Sequence, residues 1–304
     1  MTTDTASYVA LHESGELARR INDAHRLMSP CRLCPRACGG DRWSDEVGIC
    51  RTGHRARVAS YGPHFGEEAP LVGYNGSGTI FFSSCNLLCS FCQNSDISHF
   101  NRGRIVHHRE LSRIMLSLQE RGCHNINLVT PTHVVPQIME AVSQAAGDGL
   151  TIPLVYNSGG YDSVESLRLL EGVVDIYLPD FKFWDTRWAE RYCRAPDYRE
   201  MAQAAIGEMH RQVGDLVTDT RGIAVRGLIV RHLVMPEGIA GTPQIMAFIA
   251  ENISKATYVN VMSQYHPCAD AVGDTVIGRR ITRAEFETAL TAARMAGLTR
   301  LDGW

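Results

Sequence analysis

The chain has 304 residues, 44% of them hydrophobic and 21% charged, with a formal charge of −3 and a pI near 6.5. That length accommodates one large barrel-type domain or two ordinary ones with a substantial core, and the slightly acidic balance excludes a basic surface for nucleic acid or anionic membrane. The opening "MTTDTASYVALHESGELARR" lacks the basic and apolar segments of a signal peptide, and no apolar run is long enough to cross a bilayer. A cytoplasmic location is expected, where ten cysteines, seven of them in two tight clusters, point to metal rather than disulfides.

In chain order, residues 1 to about 75 form an N-terminal extension, and residues 76–304 the main domain. The extension carries Cys31, Cys34, Cys38 and Cys50 in "CRLCPRACGGDRWSDEVGIC". Four thiols at this spacing suit zinc or an iron–sulfur cluster, with Gly39, Gly40 and Gly48 allowing a tight fold around it; reduced, incidental thiols are the alternative. "HFGEEAP" (64–70) gathers His64, Glu67 and Glu68 without metal-ligand spacing, and by itself reads as a solvated turn.

From residue 79 onward, β-rich apolar runs alternate with segments of helical period. "TIFFSS" (79–84), "NINLVT" (125–130), "IPLVYN" (152–157), "VVDIYL" (173–178), "VRGLIVRHLV" (225–234) and "TYVNVM" (257–262) read as buried parallel strands. Helices fall between them: a Leu111, Ile114, Met115, Leu118 stripe, "VVPQIMEAVSQAA" with Pro136 in its first turn, "SVESLRLLEG", "REMAQAAIGEMHRQVG" and "TPQIMAFIAENIS". A last helix opens on the capping-box pair Thr282 and Glu285 and stops near Gly297. Six such β-α units predict an α/β fold, either a parallel barrel short of the full eight units or an open doubly wound sheet. In both, chemistry belongs on loops at the C-terminal ends of strands.

The first strand is followed at once by "SSCNLLCSFCQNSDIS" (83–98), with Cys85, Cys89 and Cys92 at C-x3-C-x2-C spacing. Asn86, Ser90, Gln93 and Asn94 make this a polar loop rather than core. Three thiolates do not complete a structural zinc site, whereas a [4Fe–4S] cluster on three cysteines leaves one iron open to an outside ligand.

This motif, with Phe91 before its last cysteine, resembles the signature of the radical S-adenosylmethionine (SAM) superfamily. The wider string "GSGTIFFSSCNLLCSFCQNSDIS", preceded by "HFGEEAPLVG", resembles more narrowly the uncharacterised iron–sulfur relatives of pyruvate formate-lyase activating enzymes. The resemblance implies a partial (β/α)6 barrel with a Cys-rich N-terminal extension. It also implies a [4Fe–4S] cluster on Cys85, Cys89 and Cys92 that binds SAM, and reductive cleavage of SAM to methionine and a hydrogen-abstracting 5′-deoxyadenosyl radical. The implied partners are a reductant of flavodoxin or ferredoxin type and, as substrate, a glycyl-radical-type protein or a small molecule or peptide.

Carried over by position, the resemblance nominates further residues. Thr130 and Pro131 stand where the superfamily has a Gly-Gly-Glu-Pro-like segment at the SAM amino group, without the glutamate. Asn157 lies in the turn after the third strand. Asp180 and Lys182, in "LPDFK", face the SAM carboxylate region, and Arg231 pairs with that carboxylate. His266, in "SQYHP", lies near the methionine or adenosine moiety, and "HFGEEAP" becomes a segment contacting the active site or a partner. On the residues alone, Asp180 with Lys182 is equally a plain ion pair, and Arg231 a cap on the barrel mouth. Cys268, after His266 and Pro267, is a candidate hydrogen-atom donor to a substrate radical, while Cys123 belongs to the core. A non-catalytic iron–sulfur or zinc protein is the competing class, although six β-α units exceed what an electron carrier needs.

Overall fold

The computed structural model describes residues 6–302. Its strands are β1 (Ala56–His64), β2 (Ser77–Phe82), β3 (Arg104–Val106), β4 (Ile126–Val129), β5 (Leu154–Ser158), β6 (Ile176–Pro179), β7 (Val217–Thr218), β8 (Ala224–Leu233), β9 (Tyr258–Met262) and β10 (Arg300–Asp302). Strands β2, β4, β5, β6, β8, β9 and β10 lie side by side in that order, each parallel to the next. Strand β1 runs antiparallel on the free edge of β2 and carries β3, while β7 pairs antiparallel with β8. The sheet is open, with β10 and β3 at its edges.

All six strands expected from the apolar runs are present and parallel. Their order never reverses, so there is no switch point of the kind a doubly wound sheet requires. The extension is not a separate body, because β1, from residues below 75, belongs to the same sheet.

Side-chain alternation divides the sheet into two unlike faces. Ile80, Phe82, Ile126, Leu128, Leu154, Tyr156, Tyr177, Leu228, Val230, Val259 and Val261 join the main core with the helices His108–Glu120, Val135–Gly147, Tyr198–Val213, Thr242–Phe248 and Arg283–Met295. The opposite face holds a smaller apolar cluster of Val155, Ile176, Leu178 and Ile229, closed by Leu71. The same alternation puts Asn127, Asn157, Arg231 and Asn260 on this second face.

Local chemistry sets the helix ends. Pro136 lies in the first turn of Val135–Gly147, where its missing N–H costs nothing. The Thr282/Glu285 capping box forms as expected, and Gly297 follows the helix end with φ +86°. Helix Thr186–Cys193, started by Asp185 accepting the Arg187 N–H, breaks the expected strand–helix alternation by adding a second helix between β6 and β8. No helix among the described residues is long and apolar enough to cross a membrane.

Candidate metal and cofactor site

The cysteine loop leaves the C-terminal end of β2 through Ser84, which has a left-handed backbone (φ +75°) costing about 1–3 kcal/mol in a non-glycine residue. The Ser84 N–H donates to Ile97 O (2.9 Å) and its hydroxyl to Asn101 Oδ1 (2.9 Å), which hold that conformation. Farther along, Asn86 Nδ2 donates to Tyr161 O (2.6 Å), and the Ser90 N–H to Tyr192 O (2.9 Å). Cys89 is buried, and Cys85 and Cys92 are half-buried. Three further groups reach the loop: Cys193 Sγ lies 3.3 Å from Cys89 Sγ, Ser98 Oγ lies 3.2 Å from Cys92 Sγ, and the Cys268 thiol donates to Phe91 O at 3.1 Å.

The three thiols are electrostatically unequal. Burial pushes Cys85 and Cys92 up, whereas the hydrogen bond from Cys193 holds Cys89 below the ordinary thiol value despite its burial. The Lys182 charge is felt by all three, favouring their thiolates. Burial works against that charge, yet Asp180 and Cys89 keep Lys182 well above the usual lysine value, with Nζ 2.5 Å from Asp180 Oδ2.

The neighbouring strand ends are equally ordered. Thr130, directly after β4, has φ +60°, a strained backbone for a β-branched residue, and its N–H donates to Asn157 O (2.9 Å). Pro131 follows and leads into the turn Thr132–Val134. Buried Asp162 accepts from Thr132, Tyr156 and Ser158 hydroxyls at 2.6, 2.9 and 2.6 Å. Gly160 (φ +75°) tolerates no side chain, since a Cβ would fall 2.1 Å from Asp180 O. The Tyr198 hydroxyl accepts the Lys182 N–H (2.9 Å) and lies 2.9 Å from Gly159 O and 3.0 Å from Asp180 O, binding the ends of β5 and β6 together.

Thus Thr130, Pro131, Asn157, Asp180 and Lys182 sit on adjoining strand ends, with Lys182 in the field of the cysteine loop and Asp180 and Lys182 forming the ion pair that their spacing suggested. Arg231 is already engaged: its Nε donates to Glu68 Oε1 (2.6 Å), and its Nη2 to Glu68 Oε2 (2.7 Å) and to Glu67. Glu68 is buried and also accepts from Asn260 Nδ2 (2.8 Å). The solvated-turn reading of "HFGEEAP" therefore fails, because Glu68 lies on the sheet's second face, 163 residues from its partner. His266 hydrogen-bonds within its own loop, Nδ1 to Gln264 O at 3.3 Å, and no hydrogen bond or ion pair among the described residues joins it to the cysteines. Sequence reading missed Cys193, Asp162 and Tyr198; for Asp162 the signal was a lone acid in the "YNSGGYDS" run.

The other quartet adjoins this loop, and Arg36 from it donates to Asn86 O (2.9 Å) and Cys193 O (3.2 Å). Among the described residues no group of three or more His, Cys, Asp or Glu is preassembled around an ion position. The donor chemistry of Cys85, Cys89 and Cys92 nonetheless fits a cluster: three thiols on one loop, opposite a lysine that stabilises thiolate. An apolar cavity of about 850 Å³ opens elsewhere, beside Trp184, Trp188, Met235 and Thr242, and none of the cysteines lines it.

No protein-family profile matches the chain. It is 34% identical over 290 residues, covering 92% of its length and 78% of the relative's, to the uncharacterized protein MJ0674 of Methanocaldococcus jannaschii. The chain belongs to the family of this archaeal protein.

Proposed function

We propose that the protein is a radical SAM enzyme of activating-enzyme type, with a [4Fe–4S] cluster on Cys85, Cys89 and Cys92. The observation that carries this reading is the three-thiol loop at the C-terminal end of the first strand in the parallel series, under the charge of Lys182 from the end of β6. The unreversed strand order, with helices packed on one face, supports a partial (β/α)6 barrel. When bound, cluster and SAM supply one-electron cleavage to methionine and a 5′-deoxyadenosyl radical that abstracts hydrogen from the substrate.

The chain's own residues would bind and orient. Cys193 favours the Cys89 thiolate. Lys182, held by Asp180 and fixed through its backbone by Tyr198, offers its ammonium to the SAM carboxylate, the part that the engaged Arg231 is not free to take. Thr130 and Asn157 offer polar groups toward the amino end of the ligand. Phe91, packed edge-on against Phe183 and Tyr265, keeps water from one side of the loop.

Anaerobic reconstitution with iron and sulfide, followed by dithionite and SAM, is expected to release 5′-deoxyadenosine from the unmutated protein and none from Cys85→Ala/Cys89→Ala/Cys92→Ala. A cluster-loaded protein that yields no 5′-deoxyadenosine above a no-enzyme control overturns the reading in favour of a non-catalytic iron–sulfur protein.

A further inference from the structure

We infer that Cys31, Cys34, Cys38 and Cys50 form a second, independent site: a tetrathiolate metal centre built into the frame of the catalytic loop. The four cysteines line one small cavity together with Arg36, Arg42, Asn86 and His133. Three of the thiols are buried, and Cys38 alone is exposed. Backbone bonds from Cys31 N to Gly40 O (3.0 Å) and from Gly39 N to Cys31 O (3.1 Å) fold the first three cysteines into a knuckle. The fourth returns past Gly48, where any Cβ would fall 2.4 Å from Cys38 Sγ, so the backbone itself lies against that sulfur.

Two further observations point to a ligand. His133 is fully buried, with Nε2 held 2.9 Å from Ser83 O, yet its Nδ1 has no partner. His133 is one of the residues that line the cavity. Four thiolates around Zn²⁺, or around a [4Fe–4S]²⁺ core, also carry a net charge of about −2. Two guanidinium groups flank this cavity, Arg36 and the buried Arg42, which is fixed by Gly53 O and His133 O. Both are already held by backbone carbonyls, and their fixed positive charge beside the cavity would favour an anionic centre over four neutral thiols. Loading Zn²⁺ or a preformed [4Fe–4S]²⁺ core releases four thiol protons to solvent without redox change, and draws the sulfurs, which are not preassembled, onto zinc or around the cluster. Arg36 then joins the two sites, since it also binds Asn86 O and Cys193 O.

The test uses the full chain carrying Cys85→Ala/Cys89→Ala/Cys92→Ala, purified anaerobically, so that it does not depend on whether SAM is cleaved. About one zinc or about four irons per chain should remain, with zinc and iron counts telling the two apart, and should disappear when Cys31→Ser and Cys34→Ser are added. Content of both metals far below one equivalent, or a content that the added substitutions leave unchanged, overturns the proposal. On the unmutated chain, exposed Cys38 should resist alkylation until a chelator is added, and Arg36→Ala should lose the metal to chelator several-fold faster. Immediate labelling of Cys38 in metal-replete protein, or recovery of the four cysteines as disulfides, overturns it as well.

Discussion

Tyr198 shows how much of the site hangs on one hydroxyl. Replacing it by Phe takes the acceptor from the Lys182 N–H and the one hydroxyl proton that Gly159 O and Asp180 O share; a loss of about 1–3 kcal/mol in urea unfolding is expected. On the proposed function, a several-fold rise in the KM for SAM at unchanged iron content should accompany it, whereas a fall in iron content alone would place Tyr198 in loop folding. The Cys89–Cys193 contact predicts a second result. In metal-free protein treated with glutathione disulfide, these two should be the first pair joined, as read by peptide mapping, and a Cys85–Cys89 or Cys89–Cys92 bridge would contradict the geometry. The loop cysteines were legible in sequence because their spacing lies within eight residues of one loop. Cys193 was not, because only the fold brings it across 104 residues, and nothing in "RYCRAP" advertises the neighbour.

Among the elements, β8 is the most heavily engaged. On its helix-facing side, buried His232 bonds through Nδ1 to Phe181 O and through Nε2 to Thr242 Oγ1, both at 2.8 Å, stitching β8 to the end of β6 and the start of the next helix. Burial pushes this imidazole down to about 4. The unfolded chain takes up the proton from about pH 6.5 downward while the folded chain does not, so the stability contributed by neutral His232 is lost as pH falls from about 6.5 to about 4. The slope is about 1.4 kcal/mol per pH unit across that window. His232→Asn should flatten the stability profile by about that slope, and parallel wild-type and variant profiles would refute the assignment; the comparison cancels buried Asp162 and Asp175, whose raised carboxyls act oppositely. At the exposed capping box, Thr282→Ala should cost about 1 kcal/mol without changing metal content. The six apolar parallel strands were readable as elements. β1, with Gly62 and Pro63, and the two- and three-residue strands β3, β7 and β10 were not, since edge pairing supplies what their own patterns lack.

For the whole molecule, the strand–helix rhythm conveyed the α/β class, but it left barrel and doubly wound sheet open. The choice rests on strand order, which pairing at a distance decides and no local pattern encodes. The same distance hid the Glu67–Glu68–Arg231 cluster, which converts an apparent surface turn into part of the interior. Arg231→Ala would strand buried Glu68 without its cation and is expected to cost about 3–5 kcal/mol by chemical unfolding. Arg231→Met combined with Glu67→Gln and Glu68→Gln should recover much of that loss. Equal instability of the single and triple variants would mean that the arginine acts through its packing instead.

The segment that closes the sheet's second face also sets its sign. Glu67, Glu68 and Asp180 bring three carboxylates against the two cations Arg231 and Lys182, leaving one uncompensated negative charge, with Glu68 fully shielded from water and the others largely so. Mobile ions screen such a charge far less than a surface patch, so in the proposed SAM site its attraction for a positively charged guest would act as a built-in filter. A sulfonium should outcompete its neutral thioether analogue by nearly the same factor at low and at high salt.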